Sequence, residues 1–263
     1  MIVTEEINYR LLVDTAVLAG EIMLKNGGET YLVEETIEKI LKTQKMKHIE
    51  AAVMTTSITA TMSDPDIDPI TVVRRIRSRE TNLSKVYLVH ELVIKFCNNE
   101  ISLEDTFKRL KEIIVYKPYK KWLENISLAL IPPLFVIMLN GKYLDTIVAL
   151  ICGILLVLIT LLAKRIETNI FINNLLSTTV ISIVAVISNI LFGTNIDLVI
   201  IGTIMPLVPG VAITNATMDT LNGDYVSGIA KILEAVVKAV SIAIGVGTGI
   251  GIMNLILGGI RLW

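Results

Sequence analysis

Pro206-Leu207-Val208-Pro209-Gly210 interrupts any helix that tries to run through it. Proline lacks a backbone donor and its ring presses on the preceding turn. The flanking sequence, from Ile196 to about Ile213, is otherwise apolar. Inside a bilayer, irregular backbone persists only where protein buries it or water lines it. The break therefore predicts either a lined path or a kink packed against a neighbour. Polar residues follow at once: Thr214, Asn215, Thr217, Asp219 and Asn222. Anion recognition is the chemistry on offer, because unpaired N–H groups and the helix dipole after Pro209-Gly210 favour a carboxylate. Asn215 would orient that group, and Asp219 or Glu234 could carry a coupling proton.

Lys231, Glu234 and Lys238 stand three and four residues apart and share one helical face, with the acid between two bases. An ionisable residue at the centre of a membrane helix costs about 2.5–3.5 kcal/mol and usually faces an interior or pairs. These three are read as part of a substrate or ion pathway with Pro206, Pro209, Gly210, Thr214, Asn215 and Asp219. A solvated juxtamembrane turn is the alternative. Further on, Gly245, Gly247, Gly249 and Gly251 make two overlapping Gly-x-x-x-Gly pairs, which permit close helix contact.

Other chemistry is poorly supported. Asp64-Pro65-Asp66-Ile67-Asp68 alternates acids like a calcium loop, but Pro69 and Arg75 stand where glycine and glutamate are wanted. A turn between strands is the better account. Arg74, Arg75, Arg77 and Arg79 would suit phosphate or a lipid head group, or simply pair with nearby acids. No P-loop motif occurs, and His48 and His90 have no ligand-spaced neighbours. Thr55, Thr56 and Ser57 have no adjacent base. Cys97 and Cys152 read as packing residues. No metal, cofactor or catalytic residue is expected, and the mixed charge, net −1, gives no reason to propose nucleic acid.

These residues sit in a chain of two characters. It is 53% apolar and 19% charged, too apolar for an ordinary soluble protein. Residues 1–121 hold 18 Lys/Arg and 18 Asp/Glu, whereas 122–263 hold 6 and 7. The chain divides near Lys121. Its start, with Glu5 and Glu6, does not read as a signal peptide. Spans are expected at about 122–139, 143–163, 170–192, 196–213 and 225–257, the first kinked at Pro132-Pro133. Lys117, Lys120 and Lys121 before the first span, with Lys164 and Arg165 after the second, assign those ends to the cytoplasm and Trp263 to the outside.

In residues 1–121, helical spacing covers Leu11–Leu24, then resumes near Tyr31 after Gly27-Gly28. Between His48 and Ile76 the period changes to two, which predicts three short strands. Helices return after Asn82 and Ser102. The expected fold is thus an α-helical membrane bundle of about five transmembrane helices preceded by a small cytoplasmic α+β domain of order α-α-β-β-β-α-α.

Three stretches carry a resemblance to a known family: Gly27-Gly28-Glu29-Thr30-Tyr31-Leu32-Val33-Glu34-Glu35-Thr36-Ile37, then Arg75–Arg79 with Leu83, then Pro206–Gly210 followed by Asn215, Asp219, Gly223-Asp224 and Gly228. The chain resembles the threonine/serine exporter family over nearly its whole length. Leu32 and Met218 depart from its pattern, each standing where a basic residue is expected. The resemblance implies a secondary exporter of small amino acids or, in split two-subunit members, of a dicarboxylate such as succinate, in the plasma (inner) membrane of a prokaryote. It further implies that this chain is the larger subunit of the split type, partnered by a smaller all-membrane protein, with assembly of copies of itself also open. Substrate and membrane lipids complete the expected partners. A rival reading makes the chain a membrane-anchored enzyme or sensor, with Glu29, Tyr31, Glu34 and Glu35 facing Arg75 and Arg79 nearby.

Overall fold

The computed structural model describes residues 8–257 except 45, 66 and 118. Trp263 and Asp66 thus lie outside the described residues. Two compact units divide the chain: one comprises residues 1–118 with 210–233, the other residues 119–209 with 234–263.

The first unit is built around α1 (Tyr9–Lys25), which buries residues on nearly every side, among them Leu12, Val13, Ala16, Val17, Met23 and Leu24. Only a narrow face carrying Arg10, Asp14, Glu21 and Lys25 is left outside the core. Around it lie α2 (Thr30–Leu41), an antiparallel meander of β1 (His48–Met54), β2 (Ser57–Asp64) and β3 (Ile67–Arg75), then α3 (Leu83–Cys97) and α4 (Leu103–Val115). Strand β2 buries Ile58, Ala60 and Met62 while Thr59 and Thr61 face away, the alternation that a one-sided sheet requires. In register, Ala51 faces Ala60, which faces Val72. Gly20 lets α2 approach closely, since a Cβ there would strike Ile37 and Val33. Two further helices join this unit: α9 (Gly210–Leu221) and the start of α10 (Tyr225–Ile256).

The second unit contains α5 (Lys121–Met138), α6 (Tyr143–Arg165), α7 (Ile170–Phe192), α8 (Ile196–Ile204) and the remainder of α10. Among the described residues, α5, α6, α7 and α10 are each long and apolar enough to cross a membrane. Helix α8 with its 3-10 extension Met205–Leu207, taken together with α9, makes a fifth, broken candidate. Their outer surface is lined with exposed Leu134, Ile137, Leu158, Ile190 and Leu255, the composition a lipid-facing surface needs.

Helix α5 runs on through Pro132-Pro133. Pro133 has no N–H for the Ala129 carbonyl, and Gly153 of α6 packs against that carbonyl, where a Cβ could not fit. Gly202 of α8 likewise packs on Pro132 and Val136. The two prolines are thus buried at the seam of three helices. Of the glycines on α10, Gly245 and Gly249 press on Leu175 and Thr179 of α7, while Gly247 and Gly251 face open space. Thr178 and Thr179 hydroxyls donate to the Ile242 and Gly245 carbonyls at 3.3 and 3.1 Å. One of the two Gly-x-x-x-Gly pairs is thus used for close helix contact within the chain.

Candidate functional site

The site begins at the turn between α1 and α2. Asn26 closes α1 by donating its side-chain N–H to the Ile22 carbonyl at 2.6 Å. Gly27 then takes φ +90°, a left-handed conformation that suits glycine, and Gly28 returns its N–H to Met23 at 2.9 Å in a space too tight for a Cβ. The segment after β3 lies alongside, with Glu80 and Asn82 N–H groups bonded to the Lys25 and Asn26 carbonyls at 2.9 Å each.

Helix α2 starts at Thr30 with Glu29 in the N-cap position, yet the Glu29 side chain makes no capping bond. The cap arrives from 189 residues away: Thr30 donates its N–H to Asp219 Oδ1 at 3.2 Å and its hydroxyl to Oδ2 at 3.0 Å. A carboxylate at a helix N-terminus satisfies orphan donors and meets the positive end of the dipole. One turn earlier on α9, Asn215 donates its Nδ2 to the Gly27 carbonyl at 2.8 Å. The spacing of four residues puts Asn215 and Asp219 on one face of α9, so a single face grips the glycine turn.

The ammonium comes from α10. Gly228 packs against Thr220 and the Ala216 carbonyl of α9, where a Cβ would clash, and Lys231 sits three residues further on. Its Nζ lies 2.6 Å from Asp219 Oδ2 and 3.4 Å from the Thr30 hydroxyl. Asp219 is fully buried and the Lys231 side chain is 6% exposed. Removing either member of such a pair leaves an uncompensated buried charge, at a cost of about 3–5 kcal/mol.

Two further carboxylates attend this pair. Asp224 follows the left-handed Gly223, bonds its N–H back to the Asp219 carbonyl at 2.9 Å, and its own backbone carbonyl accepts the Gly228 N–H at the start of α10. Burial, together with the Asp219 charge, pushes its carboxyl above the ordinary range, while Lys231 pulls the other way. Glu34, one turn along α2 from Thr30, accepts the Val53 N–H at 2.8 Å. Burial raises its pKa too, against that hydrogen bond and with the help of Asp224, Glu38 and Asp219. Asp219 and Asp224 therefore share one ammonium, and Glu34 adds its charge on the Asp219 side.

The other expected residues fall elsewhere. Pro206 lies in the 3-10 turn, Pro209 precedes α9, and Gly210 opens α9 with nothing near its Cβ position. Thr214 spends its hydroxyl on the Gly210 carbonyl at 3.1 Å. Lys238 binds Glu234 at 2.8 Å, so the face expected to share one acid between two bases instead has an acid for each. Glu35 pairs with Lys39 at 2.8 Å, Tyr31 is half exposed, and exposed Arg75 sits opposite Ser57 in the sheet. Arg79 lines a cleft with Glu21, Lys25 and Lys85. Of the departures from the family pattern, Leu32 packs on the core and Met218 is exposed. Arg74, with Asp14 and Glu21 at 3.8 and 3.9 Å, is a partly solvated strand end near acids.

Sequence reasoning missed Asp145. It is 1% exposed and accepts the Lys142 and Asn195 N–H groups at 2.8 Å each, joining the first turns of α6 and α8. The capping position three residues after Lys142 was the available signal.

The sequence profile described as "Putative threonine/serine exporter" matches residues 14–253. A Mycobacterium tuberculosis protein named "Probable threonine/serine exporter" is 21% identical over 92% of this chain, which spans only 46% of that relative. Two proteins named "Probable succinate transporter subunit YjjP" align almost end to end. The Klebsiella aerogenes protein is 24% identical over 92% of each chain, and the Escherichia coli protein 22% identical over 97% of each. No solved structure matches the chain. With the profile covering more than nine-tenths of the described residues, and the glycine turn meeting the Asn215–Asp219 face, the chain belongs to the threonine/serine exporter family.

Proposed function

We propose that this chain is a subunit of a secondary exporter that carries a small carboxylate-bearing metabolite, serine, threonine or a dicarboxylate such as succinate, out of a prokaryotic cell across its inner membrane. The carrying observation is the helix break at Pro206–Pro209, set in an otherwise apolar stretch and followed directly by a helix whose acid is buried against an ammonium. A tether needs neither a broken span nor a buried ion pair, so transport is favoured over a membrane-anchored enzyme or sensor.

In this reading the substrate carboxylate meets the open first turn of α9 after Gly210, and movement about the proline break alternates access. Asp219 or Glu234 carries the coupling proton. The α/β part lies in the cytoplasm and the C-terminus outside. A smaller all-membrane partner supplies the second half of the path. Support comes from the names of the relatives, one type called a subunit and matched end to end, the other about twice the length of this chain.

Counterflow of labelled serine, threonine and succinate in proteoliposomes tests this, with the chain alone and with proteins that co-purify from its native membrane. One substrate should exchange, and only with the partner present. Pro206→Ala combined with Pro209→Ala should insert normally yet lose most exchange. No exchange of any of the three under either condition sinks the exporter reading, and full activity from the lone chain sinks the partner.

A further inference from the structure

We propose that the Thr30 N–H, the Thr30 hydroxyl and the Lys231 ammonium form a carboxylate-binding cradle that Asp219 occupies as a tethered competitor, and that a free carboxylate ligand displaces Asp219 as α9 lifts from α2. The proposal deepens the exporter reading and rests on it for the choice of ligands.

The donor set is complete and planar in its demand. One oxygen of the bound carboxylate takes the helix N–H at 3.2 Å; the other takes the hydroxyl at 3.0 Å and the ammonium at 2.6 Å. Nothing in this arrangement depends on the carboxylate belonging to an aspartate of the same chain. A serine, threonine or succinate carboxylate presents the same two oxygens. Charged donors aimed at a planar acceptor are the strong kind of hydrogen bond.

Beyond those bonds, α9 is held at the Gly228 seam with α10 and by few buried side chains. Helix α9 buries only Ala216 and Asp219 among its residues. It adds one further polar tie to the turn before α2, from Asn215 to Gly27. So small an apolar contact makes opening inexpensive. Breakers bound α9 at both ends, Pro209 before it and Gly223 at φ +92° after it, so it can swing without unwinding. Asp219 is moreover one of two acids that share a single ammonium, the other being Asp224. Its departure leaves Asp224 beside Lys231 to limit which incoming anions are tolerated. A buried pair serving only as a structural tie needs no such surplus.

The test uses the full-length chain in lipid nanodiscs, with serine, threonine and succinate titrated one at a time. Asp219→Asn removes the competitor and should bind one of them about tenfold more tightly than the native chain, as expected when a binding-competent state is freed from competition. Lys231→Gln should bind the same ligand more weakly than the native chain. In the native chain the same ligand should speed hydrogen exchange across Gly210–Leu221, a readout that needs no variant to fold. Thr30→Ser should keep the binding and Thr30→Val weaken it. Binding by Asp219→Asn no tighter than native, undiminished binding by Lys231→Gln, or unchanged or slower exchange in α9 would each overturn the proposal. Because these are binding measurements, they fail independently of counterflow: transport without displacement of Asp219 refutes the cradle and leaves the exporter standing.

Discussion

Asp145 and Asp219 are both buried carboxylates, and each caps a helix, yet they are built in opposite ways. Asp145 receives two backbone N–H groups, from Lys142 and Asn195. Those donors stand at the N-cap positions of α6 and α8, and Asn195 is itself fastened as the cap of α8, accepting the Leu198 N–H at 3.1 Å. Asp219 receives one backbone N–H, a hydroxyl that can rotate and an ammonium on a four-carbon stem. Its helix buries two residues. The first arrangement locks a corner of the bundle; the second holds a helix by groups that can change partners.

That contrast is broken most directly by charge removal. Lys231→Met strands Asp219 and Asp224 without their ammonium and should cost about 3–5 kcal/mol, read as a fall in the unfolding midpoint of the detergent-solubilised chain. Lys231→Met with Asp219→Leu should recover much of the loss, because the two effects belong to one pair. An additive double variant would show that the pair is not the unit described here.

Asp145→Ala should come next, at roughly 2–4 kcal/mol, since two charge-assisted bonds to a buried carboxylate vanish. It should lower stability while leaving ligand affinity per folded molecule unchanged. If Asp145→Ala altered affinity as strongly as Lys231→Gln, the distinction between a locking and an exchanging carboxylate would collapse.

A smaller effect separates the two glycine pairs of α10. Gly245→Leu drives a side chain into Leu175 and Thr178 and should cost about 1–3 kcal/mol by overpacking. Gly247→Leu meets open space and should leave the stability of the isolated chain nearly unaltered. Equal losses from both would mean that α7 is not what Gly245 serves.

What could be read in the sequence follows from which interactions have a period. The alternation from Ile49 to Val73 and the uncharged runs of α6 and α7 announced strands and apolar helices, because each residue's neighbours predict its environment. The Pro206–Pro209 break was equally plain, since proline acts locally. Glu234 and Lys238, four apart, do pair. Lys231 was joined in sequence to the Glu234 face, whereas the structure pairs it with Asp219, reached because Gly228 brings α9 and α10 together. The cap that Asp219 gives Thr30 spans 189 residues and has no local signature. Motif recognition selected both ends of that bond without revealing that they touch.

The smallest and most diagnostic effect is a pH dependence at Glu34. Its carboxyl is raised above the ordinary 4.5 chiefly by burial, with Asp224, Glu38 and Asp219 adding to the rise and the Val53 N–H opposing it. A raised carboxyl contributes stability that is fully present below pH 4.5 and is lost as pH rises through the folded-state value, because the folded protein is then forced to hold a charge it disfavours. Glu34→Gln keeps an oxygen for Val53 and never ionises. Its advantage over the native chain should therefore be absent below pH 4.5 and grow towards neutrality. Asp224→Asn should behave alike, starting from 3.8, since its carboxyl is raised as well. Combining the two should give less than the sum, because each removes part of the repulsion the other feels. Unfolding midpoints of the four proteins measured from pH 4 to 8 decide the matter. Parallel curves would mean that these acids are solvated independently and that the surplus of negative charge around Asp219 does not exist in solution.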